Sequence, residues 1–227
     1  MRFTEFHNQD LAEGPNDPNI FKAVFMAGAS GSGKSSVSQM LFSGTGLKAV
    51  NVDTIENYYR LKQKDTADRS ELHKKRRAMR KNYLHGRLGL VIDGTGRDPK
   101  SINKNRRFLE AIGYETALVY VDIDLETSLR RVADRAQDPS SPDYGREIDS
   151  EKVKQIHQEV NQSLEELRSK FTRVWEVSNS DSDQGPQIDS IERSVLNWLN
   201  QPVNNEAAQQ WLEQQANQRP SRSRPRS

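Results

Sequence analysis

An α/β fold is what this sequence predicts, with a five-stranded parallel sheet and helices on both faces. Three observations carry the expectation. Five short apolar stretches alternate with helical segments, a pattern that buries a parallel sheet between two helix layers. The first stretch runs straight into a glycine-rich turn and then a helix. Acidic residues, Asp53 and Asp93, stand at the ends of the next two stretches.

Residues 1–19 read as an extension, because Gly14-Pro15-Asn16-Asp17-Pro18 interrupts any periodicity. A single domain is expected over residues 20–202. Its first strand is Phe21 to Ala27, followed by Gly28-Ala29-Ser30-Gly31-Ser32-Gly33-Lys34-Ser35 and a helix from Ser36 to Leu41. Gly44-Thr45-Gly46 makes a turn, and Leu47 to Val52 forms a second strand that ends at Asp53. Residues 65–86 predict a basic helix with Ser70 as a cap, Leu72, Met79 and Tyr83 on an apolar stripe, and Gly86 as its stop. Arg87 to Ile92 is the third strand and leads into Asp93-Gly94-Thr95-Gly96. Asp98-Pro99 then supplies an N-cap and a first-turn proline for a helix that turns Ile102, Leu109 and Ile112 inward and closes at Gly113.

The fourth strand spans Thr116 to Asp122, and Asp124 caps a helix that runs through Arg135. A Pro/Ser loop covers Gln137 to Tyr144. Ser150 starts a long helix whose apolar face carries Val153, Ile156, Val160, Leu164, Leu167 and Phe171. Val174 to Val177 is the fifth strand, and Ile188 to Leu199 the last core helix. Residues 203–227 read as a polar, basic, disordered tail. Within it Glu206 to Gln215 can form a short helix with Trp211 and Leu212 exposed, before the arginine- and serine-rich end at 219–227.

Composition agrees with one modest core. The chain has 227 residues, of which 33% are apolar and 29% charged, with a net charge of +2 that selects no class of partner. Cysteine is absent, which excludes disulfides, iron–sulfur clusters and thiolate zinc sites. His7, His73, His85 and His157 follow no metal-ligand spacing. No apolar run approaches the length of a membrane span and the N-terminus lacks a signal-peptide pattern, so a soluble, cytoplasmic protein without membrane contact is expected.

The loop at 28–35 fits G-x-x-x-x-G-K-[ST], the phosphate-binding or Walker A pattern. Its glycines allow a tight turn whose N–H groups point at a polyphosphate, and the helix behind adds its positive end. Gly28, Ala29, Ser30, Gly31, Ser32, Gly33, Lys34, Ser35 and Ser36 are therefore expected to bind ATP or GTP. Lys34 would reach the β- and γ-phosphates and the Ser35 hydroxyl would ligate Mg²⁺. In a parallel sheet, ligands bind beyond the carboxyl ends of the strands, where Gly28, Asp53 and Asp93 gather.

Asp53 has two readings. A carboxylate there can orient an acceptor hydroxyl and take its proton, or it can cap a helix over Ile55 to Leu61. Asp93 can hold Mg²⁺ or serve as a turn residue before Gly94, and Thr95 and Arg97 can contact substrate or phosphate. Arg131 and Arg135 are four residues apart on one helical face, with Arg146 beyond the loop, while Arg130 points elsewhere. Guanidinium groups on a closing segment would stabilise the charge of a transferring phosphoryl group.

Taken in order, Gly28 to Ser35, Val52-Asp53-Thr54, Val91 to Thr95, Gly113-Tyr114-Glu115, Arg131 to Arg135 and Gly145-Arg146 resemble the zeta-toxin-like P-loop kinases. The kinase domain of polynucleotide 5′-hydroxyl kinases is similar in the same order. The resemblance covers about residues 20–180 and implies a three-layer P-loop kinase fold with an arginine-bearing lid. It also implies an ATP- or GTP-dependent, Mg²⁺-using kinase with Asp53 as base, Lys34 on the phosphates, and Arg131 or Arg135 with Arg146 in the lid. Zeta toxins phosphorylate a nucleotide-activated amino sugar, whereas polynucleotide kinases act on a nucleic-acid 5′ end. Where zeta toxins usually carry Glu-Gly-Thr this chain has Asp93-Gly94-Thr95, and Glu56 follows Asp53 where polynucleotide kinases tend to carry arginine.

The expected function is thus transfer of a γ-phosphoryl group to a hydroxyl of a nucleotide-type small molecule. A polynucleotide 5′-hydroxyl kinase and a non-catalytic nucleotide-binding switch or adaptor stand as alternatives. Nucleic acid is a candidate partner through the basic stretch at 74–81 and the C-terminal tail, each of which also reads as a solvated surface.

Overall fold

The computed structural model describes residues 17, 19–50, 69–141, 143–145, 149–179 and 185–218. In chain order the elements are β1 (Lys22–Gly28), α1 (Lys34–Phe42), β2 (Lys48–Ala49), α2 (Arg69–His85), β3 (Leu90–Ile92), α3 (Pro99–Ala111), β4 (Glu115–Asp122), α4 (Leu125–Gln137), α5 (Ser150–Arg168), β5 (Val174–Ser178), α6 (Gly185–Leu199) and α7 (Glu206–Gln218). The strands form one sheet in the order β2-β3-β1-β4-β5, with every pair parallel. The expected α/β architecture is therefore present. Among the described residues, no helix is long and apolar enough to cross a membrane.

All seven residues of β1 are buried, because the strand is central and covered on both faces. Alternate side chains divide between two cores. Ala23, Phe25 and Ala27 face Leu109, Leu164, Leu167 and Phe171 from α3, α5 and the turn after α5. Val24 and Met26 face Val37, Leu41, Val195 and Trp198 from α1 and α6. Lys22 is fully buried with them, and its charge is met by Glu115 at 2.5 Å across the β1–β4 register.

Local signals set the helix starts. Asp98 accepts from the Ser101 N–H at 3.0 Å with Pro99 in the first turn, and Asp124 accepts from the Thr127 N–H at 2.7 Å. Asp149 caps α5 through the Lys152 N–H at 3.0 Å, so Ser150 is the first helical residue.

Several element bounds differ from expectation. Phe21 and Arg87 were expected in strands, yet they have φ of +60° and +58° and face each other through Phe21 N–H to Arg87 O at 2.9 Å. A left-handed residue cannot continue a strand, so β1 and β3 start later. Ser70, expected as a cap, lies within α2, and residues 65–68 lie outside the described residues. Of the second expected strand the described residues show Lys48–Ala49, with Val50 donating to Val91 O at 2.8 Å.

The tail needs correction. Trp211 and Leu212 are not exposed: with Val203 they pack against the first core, and Ala208 has no exposed surface. Trp211 meets Phe21 edge-on at 5.4 Å between ring centroids. Asn204 N–H donates to Glu115 Oε1 at 2.8 Å, and Asn205 Nδ2 to Glu110 O at 3.0 Å. Ala208, Trp211 and Leu212 recur at i, i+3 and i+4, a stripe just wide enough to dock a helix whose other faces are polar. Residues 219–227 lie outside the described residues.

Candidate active site

The phosphate-binding pattern sits where β1 gives way to α1, at the carboxyl edge of the sheet. Gly28 is there because nothing larger fits: a Cβ would stand 2.6 Å from Val121 O and 2.7 Å from Ser32 Oγ. Gly33 has φ +81° and forms the N-cap of α1, a left-handed position at the helix mouth. With glycine as the cap, no side chain bonds the first N–H groups of α1. Ser32 Oγ is buried inside the turn without a hydrogen-bond partner among the described residues. An uncapped helix N-terminus beside an unsatisfied buried hydroxyl suits an anion with several acceptor oxygens. The polyphosphate of a nucleotide fits that donor set.

Lys34 folds back over the loop and donates to Gly28 O at 2.8 Å and Ala29 O at 3.0 Å. Burial pulls its pKa below the usual lysine value, the Asp93 carboxylate opposes that, and the Arg135 guanidinium adds to it. Two expected site residues, Asp93 and Arg135, therefore act on the charge of a third. Ser35 and Ser36 are exposed in the first turn of α1. Arg131 is half-buried, and its Nη1 lies 3.8 Å from where a Gly33 Cβ would stand. Arg135 is more exposed, bonds Arg131 O through Nε at 3.4 Å and reaches Asp143 at 3.8 Å. Arg131 and Arg135 of α4 thus flank the loop, while Arg130 on the same helix is exposed.

The strand-end loop after β3 is fastened on two sides. Gly28 N–H donates to Thr95 O at 3.0 Å, which joins it to the phosphate loop. Ser163 Oγ on α5 donates to Gly96 O at 2.5 Å. Arg97, expected near substrate, instead bonds Glu159 of α5 at 2.6 Å. Asp93 is half-buried in this loop. Asp53 and Arg146, expected as base and lid arginine, lie outside the described residues.

Two residues missed in the sequence hold the loop from behind. Ser128 of α4 has no exposed surface and donates to Ser30 O at 2.6 Å. Asn179, one residue past β5, donates through Nδ2 to Ser32 O at 2.6 Å. Its position at a strand's carboxyl end was the available signal, the same one that marked Asp53 and Asp93. The basic stretch at 74–81 is less free than its composition implies. Lys75 pairs with Glu71 at 2.8 Å, and the half-buried Arg80 bonds Asn105 of α3.

Residues 12–184 match the zeta toxin family. No curated protein matches the chain. Among solved structures, a chain of the Pnkp1/Rnl/Hen1 RNA repair complex is 16% identical at a TM-score of 0.49, over 65% of this chain and 46% of that one. This chain thus spans less than half of that longer relative. The PezAT chromosomal toxin–antitoxin system of Streptococcus pneumoniae is 19% identical at a TM-score of 0.48, over 78% of this chain and 85% of that one. Deoxyadenosine kinase from M. mycoides with bound dATP is 15% identical at a TM-score of 0.48, over 76% and 98%. On the match that spans most of its length, the chain belongs to the zeta toxin family.

Proposed function

We propose that this protein transfers the γ-phosphoryl group of ATP or GTP to a hydroxyl of a nucleotide-type small molecule. The observation that carries this reading is the convergence on Lys34. Its ammonium bridges two loop carbonyls, while Asp93 and Arg135 act on its charge in opposite directions.

The donor's phosphates fit the turn at residues 28–36, held by the N–H groups of the α1 N-terminus. Lys34 exchanges its bonds to Gly28 O and Ala29 O for the β- and γ-phosphate oxygens. Ser35 and Asp93 are the residues that would hold Mg²⁺, which neutralises phosphate charge when bound. Asp53 orients the acceptor hydroxyl and takes its proton as the new P–O bond forms. The bond from the γ-phosphorus to the bridging oxygen breaks, and the nucleoside diphosphate leaves with that electron pair. Arg131, Arg135 and Arg146 stabilise the charge on the transferred group's oxygens.

The test is transfer of labelled γ-phosphate to nucleotide sugars, nucleosides, nucleoside monophosphates and 5′-hydroxyl oligonucleotides. Transfer to a small-molecule hydroxyl is expected, and Asp53→Asn should lower it by roughly 10²–10⁴-fold with ATP affinity unchanged. Tight ATP binding with no transfer to any acceptor would instead support a switch or adaptor. An Asp53→Asn variant that loses ATP binding along with turnover would remove the base assignment.

A further inference from the structure

A groove runs between α3 and α5, lined by Lys100, Asn103, Lys104, Arg107 and Phe108 from α3 and by Glu166 from α5, and encloses about 440 Å³. Lys100, Lys104 and Arg107 are exposed, and none pairs with a carboxylate among the described residues. Other cations nearby are neutralised: Arg106 by Glu110 at 2.6 Å, and Arg97 by Glu159 at 2.5 Å. Phe108 stands among the three cations with 50% of its surface exposed.

This arrangement is unfavourable for the helix alone. Lys100, Lys104 and Arg107 stand at i, i+4 and i+7, so neighbouring like charges four and three residues apart repel, and Lys100 sits in the first turn, at the positive end of the helix dipole. An anionic ligand in the groove would reverse both terms. We propose that the α3–α5 groove binds single-stranded nucleic acid, with Lys100, Lys104 and Arg107 on successive phosphates and a base stacked on Phe108. A basic track with an interleaved exposed aromatic is the chemistry that holds a single strand without reading its sequence. From Lys100 to Phe108 the helix rises about 12 Å, so the track reaches only a few nucleotides. A bilayer surface fits less well, since a concave slot with one exposed ring offers no continuous apolar face to insert.

The groove also has a direction. α3 begins three residues after Gly96, in the loop whose Thr95 O accepts the Gly28 N–H. A strand lying in the groove therefore runs up to the edge that carries the phosphate loop. Binding stands on the groove alone. Only the further step, that a bound 5′ hydroxyl becomes an acceptor, rests on the proposed transferase activity.

Fluorescence anisotropy of a labelled single-stranded 12-mer with the full chain tests it, using Lys100→Gln/Lys104→Gln/Arg107→Gln together and Phe108→Ala separately. The triple variant should weaken binding and lower the slope of log affinity against log salt by about 2, at roughly 0.7 per lost phosphate contact. Phe108→Ala should weaken binding by roughly 5–150-fold with the slope unchanged. ATP affinity and the thermal midpoint, measured on the same variants, should stay at wild-type values. Loss of ATP binding in the wild type would count against the kinase reading while leaving the oligonucleotide result intact. Oligonucleotide affinity unchanged in the triple variant would overturn the groove and move any binding to 74–81 or 219–227. Wild-type protein that ignores the 12-mer at low salt, or binds phosphatidylserine vesicles or polyglutamate as tightly with no effect of Phe108→Ala, would overturn it as well.

Discussion

The Asn179 side chain reaches back from the end of β5 and donates to Ser32 O at 2.6 Å, while its own N–H donates to Asp122 O at 2.8 Å. One residue thereby extends the β4–β5 ladder and pins the phosphate loop to it. The contact requires Gly33, since a Cβ there would collide with the Asn179 amide. A loop held by its backbone carbonyls keeps its N–H groups aimed at the ligand before the ligand arrives, which lowers the ordering cost of binding.

Asn179→Ala should therefore weaken ATP binding more than it weakens the fold. An unsatisfied buried carbonyl costs about 1–3 kcal/mol, which corresponds to roughly 5–150-fold in affinity if the loss falls on loop ordering. Calorimetric titration with ATP measures it. An unchanged dissociation constant would show that Ser128 and the glycines hold the loop without Asn179.

Lys34 gives a pH-dependent test whose sign follows from its environment. Its folded pKa is lowered, by burial first, from an ordinary value of 10.5. Between the lowered value and 10.5 the unfolded chain holds a proton that the folded chain has released, so this group makes stability rise with pH across that window. Below the window the charged ammonium carries its full burial penalty. Lys34→Met removes that penalty along with the cation, so phosphoryl transfer should be lost. The difference in thermal midpoint, variant minus wild type, should become less positive between pH 7 and pH 10.5. A difference that grows more positive over that range would contradict the assigned burial effect.

The docked α7 predicts that the chain cannot be shortened to residue 202 without consequence. Trp211 covers Phe21, which in turn meets Tyr114 at 5.7 Å, and Ala208 closes over Gly113. Trp211→Ala should cost about 2 kcal/mol, below the 3–5 kcal/mol of a fully buried tryptophan because the ring is half-buried. Removal of residues 203–227 should cost more, while removal of 219–227 alone should leave the midpoint in place. Urea denaturation of the three variants orders them. Equal midpoints for the 203–227 deletion and the full chain would mean that α7 contributes nothing to the core.

Much of the architecture was readable along the chain because its signals are local. The strand Lys22–Gly28, the glycine turn and the cap residues Asp98 and Asp124 each act through neighbours within a few positions, so composition and spacing reveal them. The same holds for the phosphate loop, whose function depends on its own backbone, and for the family resemblance built on it. Strand starts were less legible, since Phe21 and Arg87 take left-handed φ for a contact 66 positions apart.

The supporting contacts of the site were not legible for the same reason carried further. Ser32 meets Asn179 across 147 positions and Ser30 meets Ser128 across 98. Neither asparagine nor serine carries a local signal of such a role, because any polar residue at a strand end or on a helix satisfies the pattern. Arg97 looked like a substrate ligand until α5 brought Glu159 beside it, and 74–81 looked like the exposed basic face until Asn105 met Arg80. Among the described residues, Lys100, Lys104 and Arg107 of α3 remained without a carboxylate partner while Arg106 found Glu110, a difference that exists only once every helix has its neighbours. Local chemistry thus decided where the glycine turn and its helix lie, and chain packing decided which charges were left without a partner among the described residues.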